Sequence, residues 1–215
     1  GPTPTAASGK SSCVVLRNPF GITFNVDGEL FTYDADAEYD MGAPWYRPTR
    51  VNHCVSGGEF GWRFGAGKWP NWYPDTAGTT IDIGRGSPTG VIFGYGAKFP
   101  AKYQQALYVL DWTYGKIYAE HLKSDGATYT GEFETFLSGR GLPVSDIVIG
   151  HDRAMYFITG GRRSKSTLVR VTYEGSESTI PYTYPSRLTT ITGQKGRELR
   201  QVRRRLETLH GKANP

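Results

Sequence analysis

Short stretches of alternating apolar and polar residues, separated by turns rich in Gly, Pro and Asp, run through most of this chain. The first is Gly21-Ile22-Thr23-Phe24, which turns at Asp27-Gly28 and resumes as Glu29-Leu30-Phe31-Thr32-Tyr33. Ser87 to Phe93 with Ala106 to Leu110 repeats that pattern, and Ser145 to Ile149 with Ala154 to Ile158 repeats it again. Side chains of a strand point alternately to its two faces, so a period of two broken by turn residues predicts antiparallel hairpins. Lys116 to Leu122 and Thr167 to Tyr173 predict a further strand after the second and third hairpins. Near the C-terminus the period changes: Leu199, Val202, Leu206 and Leu209 stand at steps of three, four and three, which predicts an amphipathic helix over Arg197–His210.

The hairpin openings lie 69 residues apart (Gly21 to Gly90) and then 56 (Gly90 to Asp146). Multi-stranded units recurring every ~40–50 residues with insertions predict propeller blades. The plainer alternative is a β-sandwich whose hairpins resemble one another. The expected architecture is all-β: a partial β-propeller of about three to four blades followed by the amphipathic helix. Residues 1–13 read as a small, polar lead-in and 14–173 as the blades. A Pro/Ser/Thr-rich connector follows over 174–194, then a basic helix and tail over 195–215. Too few blades for a closed ring predict exposed sheet faces and edges, and therefore missing blades or a longer parent chain.

Charge sharpens this division. The net charge of +5 sits entirely in the segment from Lys195 onward, while residues 1–194 balance at 18 basic and 18 acidic residues. The body carries no electrostatic footprint for nucleic acid, and none is expected as a partner. The Arg203-Arg204-Arg205 run reads as the polar side of a helix that docks on a missing helical domain, with binding of nucleic acid or an anionic membrane surface as the sharper alternative. No apolar run approaches the ~20 residues that cross a bilayer. Two cysteines, Cys13 and Cys54, allow one disulfide, and without a CxxCH motif covalent haem is excluded for this chain.

Candidate chemistry gathers between the first hairpin and its insertion. Asp34, Asp36, Glu38 and Asp40 follow a strand, and clustered carboxylate oxygens suit a calcium ion; the alternative is a solvated polar loop. Trp45, Tyr46, Trp69, Trp72 and Tyr73 lie in loops beside Arg47, Arg50 and Lys68. Flat aromatic faces with donors nearby suit a sugar, or equally the packing between blades. His53 and His151 could act as bases, although His151-Asp152-Arg153 occupies a hairpin turn. Gly160-Gly161-Arg162-Arg163 could hold an anion or simply close a hairpin.

Two stretches carry a resemblance to a known family. Thr49 to Trp62, with Asn52, Gly57-Gly58 and Phe60-Gly61-Trp62, and the ordered hairpins from Ser87 to Tyr173 resemble the glucose/sorbosone dehydrogenase-like family. Phe31 to Asp36, Pro44 to Arg50 and Gly96 to Pro100 resemble in particular its membrane-bound dehydrogenase domain from Planctomycetes and Verrucomicrobia. The resemblance implies the C-terminal half of a six-bladed propeller that oxidises a sugar or alcohol and passes electrons to a quinone or cytochrome c partner. It also implies helical-repeat and cytochrome c domains as neighbours, and a periplasmic or extracellular location. Its cofactors are pyrroloquinoline quinone and Ca2+, with Asp34 and Asp36 at the metal, Arg47 and Arg50 at the cofactor, and Trp45, Tyr46, Trp69 and Trp72 at the substrate.

The match is uneven. The family's catalytic histidine has no counterpart here, its lysine is absent from Leu110 to Lys116, and its arginine pair is absent from Pro143-Val144-Ser145. A second reading is therefore a non-catalytic propeller that binds carbohydrate or scaffolds a cytochrome domain.

Overall fold

The computed structural model describes residues 13–37, 46–63, 72–161, 163–183 and 191–212. Strand β1 (Cys13–Val14) leads into β2 (Ile22–Phe24), β3 (Leu30–Asp34) and β4 (Thr49–Cys54). After β5 (Gly58–Glu59), strand β6 (Ile81–Gly84) completes a four-stranded antiparallel sheet in the order β2-β3-β4-β6. A second sheet follows in chain order: β7 (Pro88–Phe93), a single helical turn α1 (Ala101–Gln104), β8 (Leu107–Asp111), β9 (Lys116–Asp125) and β10 (Thr128–Ser138). The third has three strands among the described residues, β11 (Val144–Ile149), β12 (Met155–Thr159) and β13 (Thr167–Val171). Helix α2 (Ile191–Glu207) closes the chain.

All three expected hairpins are present, as β2–β3, β7–β8 and β11–β12, each paired antiparallel. Both expected third strands are present as β9 and β13. The helix expected over Arg197–His210 starts six residues earlier, at Ile191, and gives way to turns after Glu207.

The sheets stack face to face because each strand turns one apolar face toward the next sheet. Phe31, Tyr33, Val51 and Ile81 of the first sheet meet Val91, Phe93, Leu107, Val109 and Tyr118 of the second. On its other face the second sheet places Tyr108, Leu110, Ile117 and Ala119 against Val144, Ile147, Met155 and Phe157 of the third. The first strand of each sheet runs close to its neighbour's. A Cβ at Gly90 stands 2.9 Å from the Asp146 Cα, which accounts for glycine at that repeat position.

Outer faces tell a different story. Ile22 (66 % exposed) and Phe24 (58 %) on the first sheet, and Val148 (53 %), Ile158 (45 %) and Leu168 (66 %) on the third, present apolar side chains to solvent.

The stack has two distinct ends. At one, β1–β5 aside, lie the β2–β3 and β9–β10 turns, and here α2 docks. Its fixing is electrostatic: Arg197 and Arg200 pair with Asp27 at 3.2 and 3.1 Å, while Arg203 and Arg204 pair with Glu29. Arg203 also donates to the Ala127 carbonyl at 2.7 Å, and the Arg200 guanidinium lies 4.8 Å from the centre of the Tyr129 ring. The apolar stripe of Leu199, Val202, Leu206 and Leu209 is exposed. The helix thus docks by its charged side.

Candidate functional site

The opposite end collects the loops that join β3 to β4, β6 to β7, β8 to β9, β10 to β11 and β12 to β13. Asp111, the last residue of β8, joins two of them. Its Oδ1 accepts the amides of Ser87 (2.9 Å), Thr113 (3.0 Å) and Tyr114 (3.4 Å), tying the β6–β7 connection to the β8–β9 loop. Burial raises the Asp111 pKa, and those amides oppose the rise. Its Oδ2 is buried without a partner among the described residues.

Trp112 is fixed at both ends: its amide donates to the Ser87 carbonyl (3.0 Å) and its indole N–H to the Gly160 carbonyl (2.7 Å). With Thr113, Tyr114, Arg140, Leu142 and Ser164 it walls a cavity of about 430 Å3, within the range that accepts a small molecule. Trp112, Tyr114 and Arg140 are exposed to solvent, so the wall offers aromatic faces and a guanidinium. Among the described lining residues there is no histidine, carboxylate or lysine.

Gly115 lets the loops meet. It holds φ +60°, and a Cβ there stands 2.5 Å from the Gly139 carbonyl oxygen, which accepts no such approach from a carbon. Gly115→Ala is expected to lower stability by about 1–3 kcal/mol and to disturb the cavity wall, read as a drop in the urea midpoint with altered tryptophan fluorescence.

The residues singled out in the sequence fall in several places. Asp34 is buried, and its carboxylate accepts the amides of Arg17 (3.0 Å), Asn18 (2.8 Å) and Ala35 (3.0 Å) with Arg50 at 3.6 Å. Arg50 donates to the Phe60 carbonyl at 2.7 Å. These two residues tie the segment before β2 and the stretch after β5 to the ends of β3 and β4. Asp36 is nearer the loops: its Oδ2 accepts the Gly86 amide at 3.3 Å. Tyr46 lies beside it, its pKa pushed up to about 12 by partial burial and the charge of Asp36, with the Arg85 guanidinium 5.6 Å from its ring centre. Arg47 is exposed and pairs through its backbone with Ala37. Trp72 is 82 % exposed. Trp45, Trp69, Glu38, Asp40, Lys68 and Arg162 lie outside the described residues. Among the described residues no group of three or more His, Cys, Asp or Glu side chains gathers to hold a metal ion.

Both histidines considered as bases sit at the end away from the cavity. His53 is buried between Glu29 (2.7 Å) and Thr128 (3.0 Å) and stacked on Phe31. Burial lowers its pKa, against the pull of Glu29. His151 is exposed in the β11–β12 turn, where Arg153 takes φ 64° and donates to the Gly96 carbonyl at 2.9 Å. Arg140 was not singled out in the sequence. The signal was its place in Gly139-Arg140-Gly141, where flanking glycines leave one long cationic side chain to project from a tight loop.

Three antiparallel sheets stacked through their apolar faces, with connecting loops gathered at one end, define a β-propeller-like fold. Solved structures similar to it include sugar dehydrogenases. A glucose dehydrogenase-type oxidoreductase from Thermus thermophilus matches 74% of this chain at 22% identity and TM-score 0.58, over 46% of its own length. The soluble aldose sugar dehydrogenase of Escherichia coli, in its apo form, matches the same share at 18% identity and TM-score 0.57, over 46% of its length. The PQQ-bound aldose sugar dehydrogenase of Streptomyces coelicolor matches at 12% identity and TM-score 0.52, over 44%. The chain thus spans less than half the length of each. No family model matches the chain, and no curated protein sequence does.

Proposed function

We propose that this chain is part of a propeller dehydrogenase of the glucose/sorbosone type, comprising three blades of the ring, and that its loop end contributes to the mouth where a sugar or alcohol is oxidised. The observation that carries this is the cavity beside Trp112, Tyr114 and Arg140, set at the loop end of a fold shared with sugar dehydrogenases. The exposed apolar faces of the first and third sheets support the rest: burying them needs further blades, from a longer parent chain or a partner.

Pyrroloquinoline quinone is a planar polyanion, and the described residues suit it in face and charge. Trp112 and Tyr114 would cover its ring, and Arg140, the one cation among the described lining residues, would meet a carboxylate. When bound, the quinone would supply a two-electron acceptor, with a quinone or cytochrome c as the expected electron partner. Asp36 would be the carboxylate nearest this mouth for a calcium ion, whereas the Asp34 carboxylate is taken up by backbone amides and Arg50. Arg47 and Arg50 remain candidates for the cofactor, and Trp45, Tyr46, Trp69 and Trp72 for the substrate. A periplasmic or extracellular site of action fits this chemistry, and no helix among the described residues is long and apolar enough to cross a membrane.

Titration with the quinone, with and without calcium, followed by its absorbance and by Trp112 fluorescence, tests the reading. Stoichiometric retention, weakened about 2–10-fold by Trp112→Ala, supports it, and sugar-dependent dye reduction follows as the activity assay. A folded chain that never retains quinone sinks it. Among the described residues the lining carries no titratable base, and both histidines lie at the far end. That observation favours a second reading, a carbohydrate-binding or scaffolding propeller, which predicts sugar binding without dye reduction.

A further inference from the structure

The two cysteines of this chain stand 41 positions apart, yet the fold brings them together. Strand β1 runs parallel to β5 in the register Cys13↔Gly58 and Val14↔Glu59. The ladder continues as Phe60 and Trp62 donate to the carbonyls of Val14 (3.2 Å) and Val15 (3.1 Å). Between β4 and β5 the chain reverses in a tight turn, the Gly58 amide donating to the Val55 carbonyl at 2.9 Å. Cys54, the last residue of β4, is thereby folded back beside the residue that Cys13 faces. The two side chains are near enough to shift each other's ionisation. The Cys54 thiol itself donates to the Asn52 carbonyl at 4.0 Å, and both cysteines are free in the structure.

We infer that Cys13 and Cys54 form a disulfide by exchange with an external disulfide, a bridge that fastens β1 to β4. The inference does not rest on the reading of the loop end. The two thiols differ in the way such an exchange needs. Cys13 is half-buried and reachable, whereas Cys54 is 8 % exposed. The neighbouring Cys54 side chain draws the Cys13 thiol down to about 7 against its burial, while the Cys13 side chain and burial push Cys54 up. A thiol that ionises near ambient pH is the better attacking group.

The step balances. The Cys13 thiolate attacks one sulfur of the external disulfide and releases the other as a thiolate. Cys54 then loses its proton and displaces the remaining external thiol. Two protein thiols and one external disulfide become one protein disulfide and two external thiols, and two electrons pass to the external disulfide.

The bridge has a structural consequence at the far side of β1. Arg17 and Asn18, a few residues on, hold the Asp34 carboxylate through their amides. Fastening Cys13 fixes the segment that carries them, and with it the start of the loop that leads to Asp36 and Tyr46.

The reduced chain is incubated folded with oxidised glutathione, alkylated without denaturant and then in urea, and weighed intact. The expected result is a product lighter by two hydrogen atoms that takes no alkyl group. Its thermal midpoint should lie above the reduced form by about 10 °C, from closing a loop of this length. Cys13→Ser should remove both the mass change and the oxidant-dependent shift, while its own reduced-state midpoint stays near that of the parent. Three results overturn the inference: both thiols alkylated after incubation, a glutathione adduct on Cys13 that persists, or a disulfide that links two copies of the chain. A bridge that forms only in the urea-unfolded chain overturns it as well.

Discussion

Replacing Glu29 by alanine is expected to remove about 3–5 kcal/mol of stability and to free α2 from the hairpin. Glu29 is 3 % exposed and is met by Arg203, Arg204 and His53. Without the carboxylate those guanidiniums keep their desolvation and lose their counter-charge, which costs more than the pair itself is worth. Urea unfolding reads the stability. Limited trypsin digestion reads the helix, because its arginines become cleavable once it lifts away. Asp152→Ala is the contrast: its pair with Arg170 is half exposed on both sides, and such pairs contribute about 1 kcal/mol or less. Equal losses in the two variants would refute the role given to Glu29.

The same group predicts a pH response. Burial pushes the Glu29 carboxyl up, but hydrogen bonds from His53 and Arg203, with their charges, hold it down at about 2. An acid whose folded value lies below its unfolded one stabilises fully above the unfolded value and loses that contribution as pH falls through the folded one. Helix release is therefore expected between about pH 4.5 and about pH 2.

Replacing Glu120 by methionine is expected to stabilise the protein. Glu120 is fully buried between Leu107 and Phe133 in strand register, and neither carboxyl oxygen has a partner among the described residues. Burial alone raises its pKa well above the usual carboxylate value, so it is held as a neutral acid in an apolar layer. The sign of its pH dependence is opposite to that of Glu29. Below the unfolded value both states keep the proton. Above it the unfolded chain releases a proton that the folded chain retains, and stability falls by about 1.4 kcal/mol per pH unit. Methionine matches the unbranched shape and removes that loss. The stability gap between variant and parent should widen from about pH 5 to about pH 8 in paired urea titrations. A constant gap would show an ionised or paired carboxyl instead.

Strands that alternate cleanly are legible in the sequence. Those of the three hairpins, with β9 and β13, follow from period and turn chemistry, and Gly90 marks the close approach of neighbouring sheets. Strands β4 and β10 are not legible in this way. Arg50, Asn52 and His53 give β4 a polar sequence although it is mostly buried, because Arg50 and His53 find partners supplied by distant residues, Asp34 and Glu29. In β10 a bulge between Thr135 and Leu137 shifts the alternation midway. For α2 the sequence shows the apolar stripe but not which side docks, since the acidic turn that captures its arginines lies about 170 residues upstream.

The candidate site is legible only in part. The carboxylates and aromatics beside the first hairpin stand out because they cluster in sequence. The cavity is instead assembled from three loops that are short, glycine-rich and far apart along the chain. Spacing within one segment carries no record of such an assembly; it follows from the stacking of the sheets.

Because α2 is fastened at the end away from those loops, with His210 reaching Ser56 at 3.2 Å, the helix offers a handle of fixed orientation. A tag or surface linker placed beyond Lys212 tethers the molecule by its back. On an electrode or sensor chip the loops would face the solution, and the order of immobilisation would be set by the fold rather than by chance attachment through surface lysines.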